Sequence, residues 1–125
     1  MIVGRDIDLQ AVERSRAYNG LYFVLGGSVP IFDEAPDQKI RQKELMARLE
    51  QMTSQEEGHK LKEVILATSV NPEGEHTASY VAGLLKPLIN THSFRVSTLG
   101  RGLSTGTELE YSDSETLKSA LQNRR

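Results

Sequence analysis

Four stretches of the chain have the apolar patterns of β-strands. Residues 21–25 (LYFVL) form one continuous apolar run, residues 64–67 (VILA) form another, and Ile2 and Val3 begin a third. Unbroken apolar runs of this length are typical of strands covered on both faces of a sheet. Residues 94–99 (FRVSTL) instead alternate between the two faces. The pattern therefore predicts four strands.

Amphipathic segments separate these strands. Asp6 and Asp8 occupy positions favoured at helix starts, and the first helix is expected to stop at Asn19 and Gly20. A second helix is predicted from apolar side chains at near-helical spacing, on Ile40, Leu45, Leu49 and Met52.

Two further helix starts are marked by capping residues. Asn71 is a predicted N-cap, and Pro72 suits the first helical position, where a missing N–H costs nothing. This third helix is expected to run to about Lys86. Ser112 and Glu115 have the spacing of a capping box, which predicts a last helix with Leu117, Ala120 and Leu121 on its apolar side.

Strands and helices alternate along the chain, with about ten or more residues between successive strands. Connections of that length favour parallel strands joined by helical crossovers. The predicted fold is α/β, a three-layer sandwich with a mostly parallel four-stranded sheet. At 125 residues the chain is about one ordinary domain.

Composition excludes several classes of function. The chain has no cysteine, so disulfides, cysteine-based zinc sites and thiol catalysis are absent. Its net charge is -2, and any contact with nucleic acid must therefore be local. The apolar runs are far shorter than the roughly 20 residues of a membrane span, and the first residues have no secretory signal pattern. We expect a cytoplasmic location without membrane contact.

Four acidic side chains are predicted to meet at one edge of the sheet. The carboxyl ends of parallel strands collect ligands and catalytic groups. Asp6 and Asp8 follow the first strand, and Glu73 and Glu75 follow the third. Oxygen ligands suit Mg²⁺, which makes a weak magnesium site one hypothesis. The other is that acids in the first turn of a helix are stabilised by the helix dipole and need no metal.

The remaining candidates support no specific chemistry. Arg101, within Gly100 to Gly102, is open to both a phosphate contact and a solvated loop position, because the full spacing of a phosphate-binding loop is missing. Arg124 and Arg125 suit a helix C-terminus and could contact DNA. The histidines lack metal-ligand spacing, and the aromatic residues near the second strand are assigned to the core in preference to base stacking; these are His59, His76, His92, Tyr18, Tyr22 and Phe23.

Three segments together resemble one known family. Residues 6–27 contain A-Y-N-G-L-Y-x-V-L-G-G, residues 63–88 contain the stretch NPEGEHTA, and residues 100–125 contain G-L-x-x-G-x-x-L-E-Y. In this order they resemble the Toprim domain of the bacterial recombination-mediator family RecR. The resemblance implies a Toprim domain over residues 1–100, with a C-terminal extension and helix over residues 101–125.

The resemblance also bears on metal binding. Catalytic Toprim domains hold Mg²⁺ with a glutamate after the first strand and an Asp-x-Asp pair after a later one. The matching positions here are Gly4, Ser69 and Asn71. With neutral groups at these positions, metal-dependent phosphoryl transfer loses its charge stabilisation. The resemblance therefore implies a binding module that is not an enzyme and has no cofactor, apart from the weak magnesium site.

The family resemblance implies partners as well. RecR proteins form rings around DNA and, with RecO and RecF, help to load RecA onto single-stranded DNA. They also carry an N-terminal helix-hairpin-helix element and a four-cysteine zinc finger, both expected to be missing here. We expect self-association to be possible, through residues 102–125. Contact with DNA is expected in the full-length oligomer.

Three hypotheses follow. In the first, Asp6, Asp8, Glu73 and Glu75 engage a basic partner such as RecO. In the second, the same acids serve a Mg²⁺-dependent nuclease or nucleotidyl-transfer enzyme. The third is a small-molecule receptor, for which a ligand-induced shift in melting temperature is the test.

Overall fold

The fold is built on a four-stranded parallel sheet. The computed structural model describes residues 1–31, 35–54, 60–69, 71–99, 121–122 and 124. The strands are β1 (Ile2–Val3), β2 (Phe23–Val24), β3 (Glu63–Ala67) and β4 (Arg95–Thr98), and their order across the sheet is β2-β1-β3-β4. Every pairing is parallel. The predicted α/β class and parallel sheet are confirmed.

Helices cover both faces of this sheet. They are α1 (Asp6–Ser15), α2 (Gln42–Thr53) and α3 (Pro72–His92), with a short 3-10 helix at Pro36–Gln38. Successive side chains of a strand point to opposite faces, and β3 shows the result. Val64 and Leu66 pack with α2 and α3, whereas Ile65 and Ala67 pack with α1. This two-sided burial gives the predicted three layers.

Helix α1 is shorter than expected. It ends at Ser15 and not at Asn19 and Gly20, because Arg16 adopts the left-handed conformation, with φ 56°. The Ser15 hydroxyl donates to the carbonyl of Val12, which satisfies an acceptor in the last turn. The prediction was wrong because residues 16–19 (RAYN) give no signal that distinguishes a last turn from a loop.

The second strand is shorter than the apolar run of residues 21–25 predicts, and it lies at the edge of the sheet. Phe23 packs on the α2 side and Val24 on the α1 side, so both faces are covered as predicted. Only Phe23 and Val24 form β2, and the side chain of Leu21 is 61% exposed. Arg41 covers the outer side of this edge. Its Nη1 donates to the carbonyl of Val24 at 3.3 Å, and its guanidinium lies 5.1 Å from the ring centre of Phe23. The hydrogen bond occupies a backbone carbonyl that another strand would otherwise pair with.

Helix α3 begins as predicted and ends later. Asn71 is the N-cap and Pro72 follows it, but the helix continues past Lys86 to His92 with Pro87 inside it. A proline usually ends or kinks a helix. Leu88 and Ile89, which follow the proline, pack against the core on the α2 side of the sheet. Their burial favours continuation of the helix, which sequence pattern alone could not show.

The C-terminal residues contact the amino end of the sheet. The predicted capping box at Ser112 and Glu115, with Leu117 and Ala120, lies outside the described residues. Leu121 is buried on the α1 side of the sheet. Arg124 donates from Nε to Oε2 of Glu63 at 2.8 Å and from Nη2 to Oε1 at 3.1 Å. This bidentate pair joins the end of the chain to β3.

The carboxylate of Glu63 has two further partners. It accepts a hydrogen bond from the Ser97 hydroxyl at 2.5 Å and lies 3.2 Å from Nη2 of Arg95. The hydrogen bond from Arg124 is the largest cause that lowers the pKa of Glu63, from an ordinary 4.5 to about 2, and those from Ser97 and Arg95 add to it.

Within the described residues, no helix has both the length and the apolarity to span a bilayer.

We predict that Glu63→Gln destabilises the protein by about 1–3 kcal/mol at neutral pH, because the donors of Arg124 lose a charged acceptor. A group whose pKa is lowered on folding stabilises the fold above its unfolded pKa, here 4.5. That contribution declines as the pH falls towards 2. Urea unfolding of both proteins at several pH values should show the difference between them shrinking below pH 4.5. A difference independent of pH would contradict the assigned role of the carboxylate.

Candidate functional site

A cleft of about 230 Å³ opens at the carboxyl edge of the sheet. Three connections meet there because the strands are parallel: the one after β1, the one after β2, and the turn between β3 and α3. We call it the carboxyl-edge cleft. Its lining consists of Gly4, Arg5, Asp8, Gly27, Ser28, Thr68, Ser69, Asn71, Glu73, Gly74 and Thr77.

The start of α3 forms one wall of the cleft. The side chain of Asn71 accepts a hydrogen bond from the N–H of Gly74 at 2.7 Å, as its predicted N-cap role requires. The Thr68 hydroxyl donates to the carbonyl of Gly74 at 2.8 Å. A Cβ atom at Gly74 would lie 1.9 Å from the carbonyl oxygen of Ser69. Glycine is therefore required where α3 contacts the end of β3.

Thr77 connects this wall to the segment after β2. Its hydroxyl oxygen accepts from the N–H of Val29 at 2.9 Å and donates to the carbonyl of Glu73 at 2.8 Å. Both Thr77 and Val29 are buried. Sequence reasoning missed Thr77 and gave Gly74 no role. A threonine within the apolar stripe of α3 was the signal for the first, whereas nothing in the pattern marked the second.

The structure places two of the four predicted acids, Asp8 and Glu73, in the lining of the cleft, whereas Asp6 and Glu75 lie outside that lining. Asp8 is only 5% exposed, and its Oδ2 accepts the backbone N–H of Arg5 at 3.2 Å, with Nη2 of Arg5 3.6 Å from Oδ1. Asp8 therefore stabilises the start of α1, and it also lines the cleft. Its assignment as a partner contact stays a prediction. Glu73 is exposed and lines the cleft. Asp6 is exposed on α1, and Glu75 faces a neighbouring hollow lined by Leu66 and Thr98 among others.

The other candidates have different positions. Arg101, Arg125 and His59 lie outside the described residues, and Arg124 is paired with Glu63 as described above. His76 and His92 are half-buried. The rings of Tyr18 and Tyr22 pack edge to face with centres 5.3 Å apart, against the core on the α1 side, whereas Phe23 packs on the α2 side. The assignment of these aromatics to the core is confirmed.

The residues at the expected metal positions do not fit Mg²⁺. Gly4 has no side chain, and the side-chain oxygen of Asn71 is already bonded to the N–H of Gly74. Ser69 is neutral, so none of the three positions supplies the carboxylate oxygens that Mg²⁺ favours. Within the described part of the chain, no three acidic or histidine side chains are grouped as a metal site would require.

Comparison with known families decides the assignment. The profile described as "Toprim domain" matches residues 1–99. The chain belongs to the Toprim family. A second profile, described as "RecR, C-terminal", matches residues 102–125 of this Toprim chain. The boundary predicted near residue 100 stays a prediction, because the residues that follow it lie outside the described structure.

The curated relatives that match the chain carry the name RecR. The chain is 46% identical over 125 residues to "Recombination protein RecR" of Thermobifida fusca, covering 99% of this chain and 57% of the relative. It is 42% identical over 124 residues to the protein of the same name from Pelotomaculum thermopropionicum, covering 99% and 56%. This Toprim chain thus spans a little over half the length of the curated relatives it matches.

We predict that Gly74→Ala destabilises the protein by about 1–3 kcal/mol, because the new methyl group overlaps the Ser69 carbonyl and pushes α3 away from β3. Gly83→Ala is the matched control. It lies in the same helix, and outside the neighbouring backbone of that helix no atom lies within 4 Å of the added Cβ. It should raise stability by about 0.5–1 kcal/mol. Urea unfolding measures both changes. A stabilising effect of Gly74→Ala would contradict the close contact.

We predict that Gly4→Glu, Ser69→Asp and Asn71→Asp together create a divalent-metal site. A Cβ at Gly4 would meet its nearest atoms at 3.7 Å, and aspartate caps a helix as well as asparagine does. Calorimetric titration with Mn²⁺ should show binding tighter by about tenfold or more than in the unsubstituted chain, since ligand charge sets affinity in oxygen sites.

The control for this variant adds the same three charges at exposed positions, as Gln10→Glu, Gln38→Glu and Asn90→Asp. It should bind Mn²⁺ no more tightly than the unsubstituted chain. If the unsubstituted chain already bound Mn²⁺ as tightly as the cleft variant, the cleft would hold a metal through other oxygens. The enzyme hypothesis would then return.

Proposed function

We propose that this chain is the non-catalytic Toprim module of a RecR-type recombinational repair protein and acts by binding protein partners. The matched profiles and the printed names of the relatives support the repair context. The observation that carries the non-catalytic assignment is the neutrality of Gly4, Ser69 and Asn71 at the carboxyl-edge cleft. Metal-assisted phosphoryl transfer needs charge at these positions.

The acids that remain exposed define a surface for recognition. We call Asp6, Glu73 and Glu75 the acidic rim, because they are exposed on the first turns of α1 and α3. Glu73 lines the cleft and Glu75 faces the neighbouring hollow. Within the described residues, none of the three forms an ion pair with another side chain. Their charge is therefore available to a basic surface on another protein.

We propose RecO as the partner that binds the acidic rim, with RecF acting in the same process. Complementary charges at an interface mainly set specificity and the rate of encounter. The rim suits such contacts because Asp8, which is buried at the start of α1, holds the backbone beneath it. In this proposal, the cleft keeps the Toprim geometry while the rim directs assembly for the loading of RecA on DNA.

The direct test is a titration of RecO from the same organism against the chain and its Glu73→Ala/Glu75→Ala variant. Each exposed ion pair contributes about 0.2–1 kcal/mol, so the double variant should bind about 2- to 30-fold more weakly. The difference should shrink at high salt, which screens exposed charges. Calorimetry or biolayer interferometry provides the affinities.

A matched control removes two acids elsewhere. Glu44 and Glu50 are exposed on α2, and Glu44→Ala/Glu50→Ala changes the net charge by the same amount. This control should keep the affinity of the unsubstituted chain. Equal losses in the two double variants would mean that only net charge matters, and unchanged affinity in the rim variant would remove the acidic rim from the interface.

A further inference from the structure

The amino ends of strands β3 and β4, opposite the carboxyl-edge cleft, carry exposed basic side chains. Lys62 immediately precedes β3, and Arg95 is the first residue of β4. Lys62 is exposed, and the side chain of Arg95 is 68% exposed. The backbone N–H of Arg95 donates to the carbonyl of Lys62 at 3.0 Å, which makes the two residues neighbours across the sheet. We call this pair the basic edge.

A single carboxylate lies beneath the basic edge. Oε2 of Glu63 is 3.2 Å from Nη2 of Arg95 and accepts from Nε of Arg124 at 2.8 Å. One carboxylate thus faces two guanidinium groups, and the net charge of these three groups is positive by one elementary charge. Lys62 has no ion pair within the described residues and adds a second unit. These four described side chains carry a net charge of about +2, although the chain as a whole is acidic.

The two arginines differ in what they can still bind. Arg124 directs Nε and Nη2 to Glu63 and Nη1 to the carbonyl of Leu121 at 2.6 Å, so every nitrogen of its guanidinium has a partner. Arg95 contacts Glu63 through Nη2 and leaves its other donors towards solvent. The planar fork of a guanidinium matches phosphate oxygens. Glu63 holds that fork in one orientation, which reduces the entropy lost on binding.

We propose that Lys62 and Arg95 form a contact site for the phosphate backbone of nucleic acid. The acidic rim at the other edge would repel phosphate, so nucleic acid and a basic protein partner would bind to opposite ends of the sheet. Phe94, the aromatic residue next to Arg95, is buried in the core and offers no face for base stacking. Binding at the basic edge is therefore electrostatic and independent of base sequence.

The experiment measures fluorescence anisotropy of labelled oligonucleotides with the full chain over a series of salt concentrations. For single strands, each phosphate contact contributes about 0.7 to the slope of log affinity against log salt. Lys62→Gln/Arg95→Gln should therefore lower that slope by about 1.4. Oligonucleotides of mixed sequence and of thymine alone should bind equally.

Three controls separate the site from general effects. Lys39→Gln/Lys43→Gln removes two exposed charges near the start of α2 and should leave the slope unchanged. Arg95→Lys keeps the charge and should keep most of the slope. The melting temperature of the Lys62→Gln/Arg95→Gln variant should remain close to that of the unsubstituted chain, because Glu63 retains Arg124.

The proposal is overturned by no binding at low salt, by equal loss of slope in the two double variants, or by a marked preference for one base sequence. It does not rest on the acidic rim. The rim variant Glu73→Ala/Glu75→Ala should bind the oligonucleotides at least as well as the unsubstituted chain. If RecO did not bind the acidic rim, the proposal for nucleic-acid binding at the basic edge would thus be unaffected.

Discussion

The backbone contact between Gly74 and Ser69 determines the geometry of the carboxyl edge. Without a side chain at position 74, the first turn of α3 can lie directly against the end of β3. Asn71 then caps the helix, and Thr77 comes within hydrogen-bonding distance of Val29 in the segment after β2. One close approach thus fixes three connections around a single cleft. The packing of α3 on the sheet, and the position of Glu73, follow from it.

This arrangement explains how a Toprim scaffold can serve recognition. The cleft retains its shape because backbone contacts and neutral hydrogen bonds hold it, and these do not require a bound ion. Gly4 and Ser69 place no charge at the expected metal positions, whereas Glu73 and Glu75 carry charge on the rim. At the other edge, Glu63 holds two arginines and connects the C-terminal residues to β3. Opposite ends of the sheet therefore carry charge of opposite sign.

Much of the fold could be predicted from the sequence, because local patterns were sufficient. Apolar runs and alternation predicted the strands, and Asn71 with Pro72 predicted the start of α3. The limits of β2 and α3 depend on tertiary contacts: β2 is an edge strand covered by Arg41, and burial of Leu88 and Ile89 favours the continuation of α3 past Pro87.

The site was less predictable because it also depends on tertiary contacts that local patterns do not show. The acids of the rim could be placed at one edge of the sheet from strand order alone. The burial of Asp8 depends on its hydrogen bond to the backbone of Arg5, and the role of Gly74 depends on one distance. Glu63 and Arg124 are 61 residues apart, and no sequence spacing relates them.

The central claim is that recognition has replaced metal chemistry at the carboxyl edge. Its most direct test is an amide NMR map of the isotope-labelled chain, recorded as RecO is added. The account predicts that signals of Asp6, Glu73 and Glu75 shift or broaden first, while those of Lys62 and Arg95 stay unchanged. Perturbation of signals at the basic edge alone, with the signals of the acidic rim unchanged, would contradict it.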